Sequence, residues 1–226
     1  MYSTKYVSTG ASAFAFRFGG TFIAQFNLPN LHLERIVPVP SPSQIAWGAW
    51  ATTIGRYTYI YGVNDSELYI ARTLGDELTG KWAFYTGSRW SWNLSQAAPV
   101  LKGVSNELSV IPWRGLYILV TSDATVPLSP DIVLAFSRTP VGPFEIPTLV
   151  YVTPGTTQFV FTYNALAHPE LSHGNQLVLS YNRNSLNVVQ VENDVAIYRP
   201  RFVVATLHPT AIRRLLTKGQ EQSPSP

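Results

Sequence analysis

Cysteine is absent from the 226 residues, which excludes disulfides, thiol catalysis and zinc–thiolate centres. Charge is scarce: Asp, Glu, Lys and Arg make up 13%, about half the ~25% of a typical soluble domain. The formal net charge is +3, and part of the basic character is the C-terminal Arg213, Arg214 and Lys218. No Lys/Arg run interleaves with aromatics, so no nucleic-acid partner is expected. No apolar stretch reaches the ~18 residues of a membrane-spanning helix, so no membrane insertion of that kind is expected. Met1 to Gly10 is polar and lacks the apolar centre of a signal peptide. Gly-x-Ser-x-Gly elbows, phosphate loops and dinucleotide fingerprints are missing. His32, His173 and His208 have no ligand spacing with one another, so neither a metal ligand set nor a cofactor is expected.

What the chain does have is hydrophobic content of 46%, with 12 Tyr, 11 Phe and 6 Trp. These are strand-favouring residues and suit both a core and a sugar-binding cleft. They fall into a block that recurs three times, about 60 residues apart. The first copy carries Gly55 to Gly62, then Leu68 to Arg72, then Thr79 to Trp82. The second carries Gly115 to Val120, then Ile132 to Ser137, then Val141 to Phe144. The third carries Gly174 to Asn182, then Ala196 to Val203. Ile60, Leu119 and Leu179 hold matching places. Repeated short strands at this period predict an all-β fold, a β-propeller. The copies are expected over Ile45–Trp92, Leu108–Val152 and Phe159–Leu207.

Ahead of them, residues 13 to 18 and 21 to 26 read as a hairpin turning at Gly19-Gly20. Pro38, Pro40 and Pro42 mark a loop. One propeller domain is expected over residues 13–207. Residues 208–226 are expected to hold a short helix with Ala211, Ile212, Leu215 and Leu216 on one face, then a disordered tail. Three copies and a leading hairpin make about three and a half blades, where a closed ring needs four or more. The chain is therefore expected to be N-terminally incomplete. Closure as an irregular barrel, or by dimerisation, is the alternative. A structural ion on the propeller axis is left open.

The third copy contains Tyr163-Asn164-Ala165-Leu166-Ala167-His168-Pro169, then Leu179-Ser180-Tyr181-Asn182-Arg183-Asn184-Ser185, then Ile197-Tyr198-Arg199-Pro200-Arg201-Phe202. This series resembles the C-terminal part of a DUF4185-like bacterial family. Ser137-Arg138-Thr139-Pro140-Val141-Gly142-Pro143-Phe144 is similar to the strand-and-corner signature of sugar-cleaving propellers. The resemblance covers roughly residues 14 to 207. It implies a five-bladed propeller of the furanosidase type, related to endo-D-arabinanases that cut actinobacterial cell-wall arabinan. It also implies a secreted or cell-surface full-length protein, and a catalytic carboxylate supplied by a first blade this chain lacks.

Glycoside hydrolysis needs two carboxylates across the scissile bond. In a propeller the innermost strand of each blade begins near the axis, so a residue there points into the cleft. Glu107 begins such a strand and is the candidate general acid; a solvated turn carboxylate is the competing reading. Trp47, Asn164 and His168 occupy similar strand starts in the other copies and are candidate substrate-binding residues. For His168 the competing reading is a hydrogen-bonded core histidine. Asp65, Asp123 and Asn182 follow the second strand of each copy. A shared turn role is the first reading, and binding of sugar hydroxyls at the rim is the second. Arg199 and Arg201 flank Pro200. Arg199 is a candidate for binding sugar oxygens, and one of the pair is expected to lock the last blade by an ion pair. The expected partner is a polysaccharide or oligosaccharide. The function classes left are a glycoside hydrolase acting on a furanose polymer such as D-arabinan, active as a full propeller, and an inert carbohydrate-binding or scaffold propeller.

Overall fold

The computed structural model describes residues 1–11, 15–208 and 210. The expected C-terminal helix and tail, and residues 13 and 14 of the expected first strand, lie outside them. The chain divides into two units, Met1–Lys102 and Gly103–Pro226. Every strand pair of the sheets is antiparallel, and neighbours in sequence are neighbours in the sheet except for one short strand, Leu101–Lys102. This is the meander of a propeller blade. The fold is all-β and of the propeller type, as the repeat predicts.

The first unit opens with a three-stranded sheet of β1 (Tyr2–Ser8), β2 (Phe16–Asn27) and β3 (His32–Pro38). Here the expected hairpin at Gly19-Gly20 is corrected, because β2 runs straight through both glycines. Lys5 pairs with Gly20 and Tyr6 with Phe18, so Gly19 is the extra residue of a bulge. A side chain on Gly19 would lie 3.2 Å from the Lys5 carbonyl oxygen and 3.1 Å from a Val7 methyl. Glycine is required there by close approach of the neighbouring strand, not by a turn.

The next sheet takes in β4 (Ala46–Ile54), β5 (Tyr57–Asn64), β6 (Glu67–Leu74), β7 (Ala83–Tyr85) and β8 (Trp90–Ser91), with β9 (Leu101–Lys102) returning to pair with β6. The core of this unit gathers Ile23, Trp47, Ile60, Ala71, Trp82 and Phe84. Burying rings of this size is the dominant favourable term, roughly 25 cal/mol per Å² of apolar surface.

The second unit has two sheets. One is β10 (Val104–Trp113), β11 (Leu116–Asp123), β12 (Asp131–Ser137) and β13 (Thr148–Val152). The other is β14 (Val160–His173), β15 (Gln176–Ser185) and β16 (Pro200–Thr206), with the short helix α1 (Val188–Asn193) between β15 and β16. Pro200 starts an edge strand, where its missing N–H costs nothing. The lock on this strand is a hydrogen bond from the Arg201 guanidinium to the Ala196 carbonyl, 3.1 Å. Leu108, Val110, Leu119, Leu134, Leu177 and Leu179 are fully buried. Two buried bonds join the sheets. The Ala167 amide donates to Ser109 Oγ at 2.9 Å, and the Thr153 and Thr162 hydroxyls meet at 2.6 Å.

The leading strand of each repeat copy carries a bulge against its second strand, within three residues of the matched Ile60, Leu119 and Leu179. In β4 it falls between Trp47 and Trp50, in β10 between Val104 and Leu108, and in β14 between Tyr163 and Leu166. Bulges bend a strand and re-aim side chains, and they are frequent beside functional sites.

Candidate functional site

Glu107 sits on the β10 bulge. Val104 pairs with Asp123 and Leu108 with Thr121, so three residues of β10 face one of β11. The excess chain is fixed by hydroxyls. Thr121 is fully buried, and its Oγ1 accepts the Ser105 amide at 2.9 Å. Ser105 Oγ donates to the Glu107 carbonyl at 2.6 Å. The knot leaves the Glu107 side chain exposed by surface area. Enough protein surrounds its carboxyl, even so, for desolvation to raise its pKa above the ordinary glutamate value, against an opposing hydrogen bond from its own backbone amide. The two observations fit a carboxyl at the mouth of a recess: one side meets water and the other meets protein.

Tyr163 lies on the β14 bulge, paired with Asn182 across the sheet. Its phenol is pushed up to about 12. The causes in order are burial, the Tyr198 hydroxyl beside it and the charge of Glu107, while a hydrogen bond from the Asn182 side chain works the other way. Glu107 therefore acts on Tyr163, although 56 positions separate them. Tyr163, Asn182, Arg183, Tyr198, Arg199 and Pro200 line a cleft of about 110 Å³. Arg183 is held by a hydrogen bond from its Nη2 to the Gly155 carbonyl, 3.0 Å. Arg199 is exposed at the rim. The cleft is lined by one phenol that stays neutral through the physiological range, a second tyrosine, an amide and two guanidinium groups, and the Glu107 carboxyl, its pKa raised by desolvation, acts on that phenol through its charge. That set donates hydrogen bonds to oxygen-rich ligands and can deliver one proton.

Of the residues anticipated from sequence, Asn182 and Arg199 line this cleft, and Glu107 is linked to it through its charge at Tyr163. Asn164 is next to Tyr163 on the bulge, with φ 61, a left-handed backbone that asparagine tolerates better than most. His168 stands further along β14, on the rung of Val178. Its Nε2 meets Ser180 Oγ at 2.7 Å, its Nδ1 meets Glu170 Oε1 at 3.1 Å, and its ring lies against Phe202. Asp123 accepts both the amide and the hydroxyl of Thr125, at 2.9 and 2.7 Å, and so closes a turn. In the first unit Asp65 and Ser66, with φ 48 and 59, form the two-residue turn between β5 and β6. Trp47 is 1% exposed and packs on Trp82 and Phe84. Tyr163, Arg183 and Tyr198 were not singled out from sequence. Each is the immediate neighbour of a residue that was, and strand register is what brings them together.

Residues 1–206 match a family described as a domain of unknown function, DUF5005. This match overturns the resemblance to a DUF4185-like family. Of the residues that carried the resemblance, Tyr163 to Pro169 lie within β14 and Leu179 to Ser185 within β15. A search of curated proteins finds no match. Among solved structures, one from Bacteroides ovatus described as "a putative hydrolase" is similar at a TM-score of 0.73 and 17% identity, over 99% of this chain and 64% of that one. The chain thus spans less than two thirds of that protein's length. An α-L-arabinofuranosidase from Clostridium thermocellum is similar at a TM-score of 0.38 and 13% identity, over 69% of this chain and 54% of that one. A thermostable family-43 glycoside hydrolase is similar at 0.44 and 15%, over 100% and 73%. The likeness to the first is one of fold.

Proposed function

From the site's own chemistry we propose that this chain, which belongs to the DUF5005 family, is a glycan-processing protein of the glycoside hydrolase kind, with Glu107 as its general acid. The carrying observation is the raised pKa of the Glu107 carboxyl on a hydroxyl-pinned bulge, beside the neutral phenol of Tyr163. A carboxyl whose pKa is raised holds its proton more firmly than an ordinary glutamate and can pass it to a departing glycosidic oxygen. Tyr163 and Asn182 would donate to sugar oxygens, and Arg183 and Arg199 would hold the ring in place. The narrower substrate, a furanose polysaccharide such as D-arabinan, belongs to this proposal and is the first to try. So does a secreted or cell-surface setting, where such polymers are met.

A second reading is supported by one feature. The described residues that line the cleft include no carboxylate, whereas hydrolysis ordinarily uses two. A glycan-binding propeller without turnover would need only the donors. The deciding experiment measures arabinan hydrolysis and binding by the wild type and by Glu107→Gln. Under the hydrolase reading the variant loses about 10²- to 10⁴-fold in turnover and keeps its binding. A fall of only about twofold removes Glu107 from the role. Binding without turnover in both proteins selects the second reading.

A further inference from the structure

The first unit carries an aromatic ridge that the Glu107 cleft does not use. Trp92 follows β8 and is 71% exposed, although tryptophan is among the costliest side chains to leave in water. It stands between two grooves and lines both, together with Lys81. One groove has a volume of about 680 Å³ and includes Ser41 and Thr79. The other, of about 310 Å³, includes Tyr57, Arg72 and Glu77. Both volumes fall in the ~300–1,000 Å³ range of small-molecule sites.

The surroundings of the ridge are fixed. The Arg72 guanidinium lies 4.0 Å from the Tyr57 ring and 4.0 Å from the Trp90 ring, so it is clamped between two faces. Thr73 Oγ1 donates to the Glu77 and Lys81 carbonyls at 3.0 and 3.3 Å, which holds the loop under Lys81. Trp82 Nε1 donates to the Leu78 carbonyl at 2.9 Å in the same loop. Behind Trp92, the Asn93 amide donates to Ser91 Oγ and the Asn93 side chain caps the next turn. A flat apolar ring on a held backbone, with hydroxyls, an ammonium, a guanidinium and a carboxylate on its flanks, is pre-organised for one kind of ligand. That ligand presents C–H faces to the ring and hydroxyls to either side. A nucleic acid would require a stripe of cations, and here Glu77 sits with Arg72 and Lys81.

We propose that Trp92, with Arg72, Glu77 and Lys81, forms a second carbohydrate-binding site, separate from the Glu107 cleft, that takes an oligosaccharide laid across the ridge from one groove into the other. This rests on the reading of the protein as one that handles glycans. Because the ring lies between two grooves, affinity grows with chain length, and a monosaccharide occupies one side only.

The test is calorimetry and tryptophan fluorescence of the whole chain with arabino-, xylo- and cello-oligosaccharides of one to six sugars. It is run on the wild type, Trp92→Ala, Trp92→Phe and Glu107→Gln. Trp92 is exposed, so its variants are expected to fold, and circular dichroism checks this. The expected result is about tenfold or greater weakening in Trp92→Ala, partial retention in Trp92→Phe and full retention in Glu107→Gln, with tighter binding of longer chains. Glycan binding that is unchanged in Trp92→Ala overturns this proposal and leaves the Glu107 reading standing. Trp92-dependent binding in a protein whose turnover ignores Glu107 does the reverse. Trp92-dependent binding of a proline-rich peptide and of no glycan overturns the ligand assignment. No binding of any of these oligosaccharides overturns the site.

Discussion

Replacing Thr121 with valine tests whether the hydroxyl knot holds Glu107 in place. Valine keeps the shape and the methyl of threonine and suits a strand, so no cavity opens. What is lost is the acceptor for the Ser105 amide at 2.9 Å, with the contact to Ser105 Oγ at 3.1 Å. A buried donor left without a partner costs about 1–3 kcal/mol. Ser105 is half-buried, so water replaces part of the loss and the lower half of that range, about 1–2 kcal/mol, is expected. For a chain of this size that corresponds to a fall in Tm of roughly 2–8 °C. In urea the midpoint should drop with m unchanged. The control is Thr121→Ser, which keeps the hydroxyl and loses a buried methyl. Both variants lose stability, but only valine frees the bulge. Carboxyl NMR should therefore show the Glu107 pKa falling back toward the ordinary value in Thr121→Val and staying raised in Thr121→Ser. A loss below about 0.5 kcal/mol in the valine variant, or an unmoved Glu107 pKa, would refute the knot as the support of the site.

Glu107→Gln should stabilise the fold at neutral pH. A carboxyl whose folded pKa is raised binds more protons folded than unfolded, so stability falls as pH rises from the ordinary glutamate pKa through the raised one. Urea melts at pH 7 should favour the variant and melts below the ordinary pKa should not; an advantage of equal size at both would contradict the assignment. Ser109→Ala removes the acceptor of the buried Ala167 amide. It should cost about 1–3 kcal/mol and speed hydrogen exchange at Ala167; unaltered exchange would mean that bond is not the tie between the two sheets. Gly62→Ala puts a methyl 2.6 Å from the Trp47 ring and 2.7 Å from an Ile45 methyl. It should destabilise by about 1–3 kcal/mol, seen as a lower Tm and a changed Trp emission. At Gly55 an added methyl meets no atom of the described residues within 4 Å, so the Trp emission there should not change.

The blades were readable because their central strands obey the simplest physics. β5, β11, β12 and β15 are apolar and β-branched or aromatic, and each ends at a glycine, Asx or Ser turn. The first sheet was harder. Tyr2–Ser8 is polar and pairs along one edge only, so nothing in its own residues announces a strand. Gly19-Gly20 has the composition of a turn, and only the presence of β1 beside it makes it a bulge. At the candidate site, Glu107 and Asn182 were legible as polar residues at strand ends. Tyr163 and Tyr198 were not, because in a chain of 12 tyrosines a tyrosine in a strand reads as packing. Their meeting depends on register across two strand pairs and on a helix inserted before β16.

The bulges also separate two jobs that a strand ordinarily performs together. Two surplus residues stand on β4 and on β10 against their partners, and one on β14 between Tyr163 and Leu166, a strand whose pairing shifts again between His168 and His173. Beyond each bulge the pairing resumes and the strands behind keep their alignment. The leading strand therefore holds a length of slack at one height, where chain can be added or removed without resetting the sheet. The three sheets fill that slack in three ways: a glycine at φ 87 in β4, a serine–threonine hydroxyl knot in β10 and a left-handed asparagine in β14. In a lineage built on this plan, insertions and deletions would gather at this height, and ligand preference could drift there while the rest of each blade stayed under the constraint of packing.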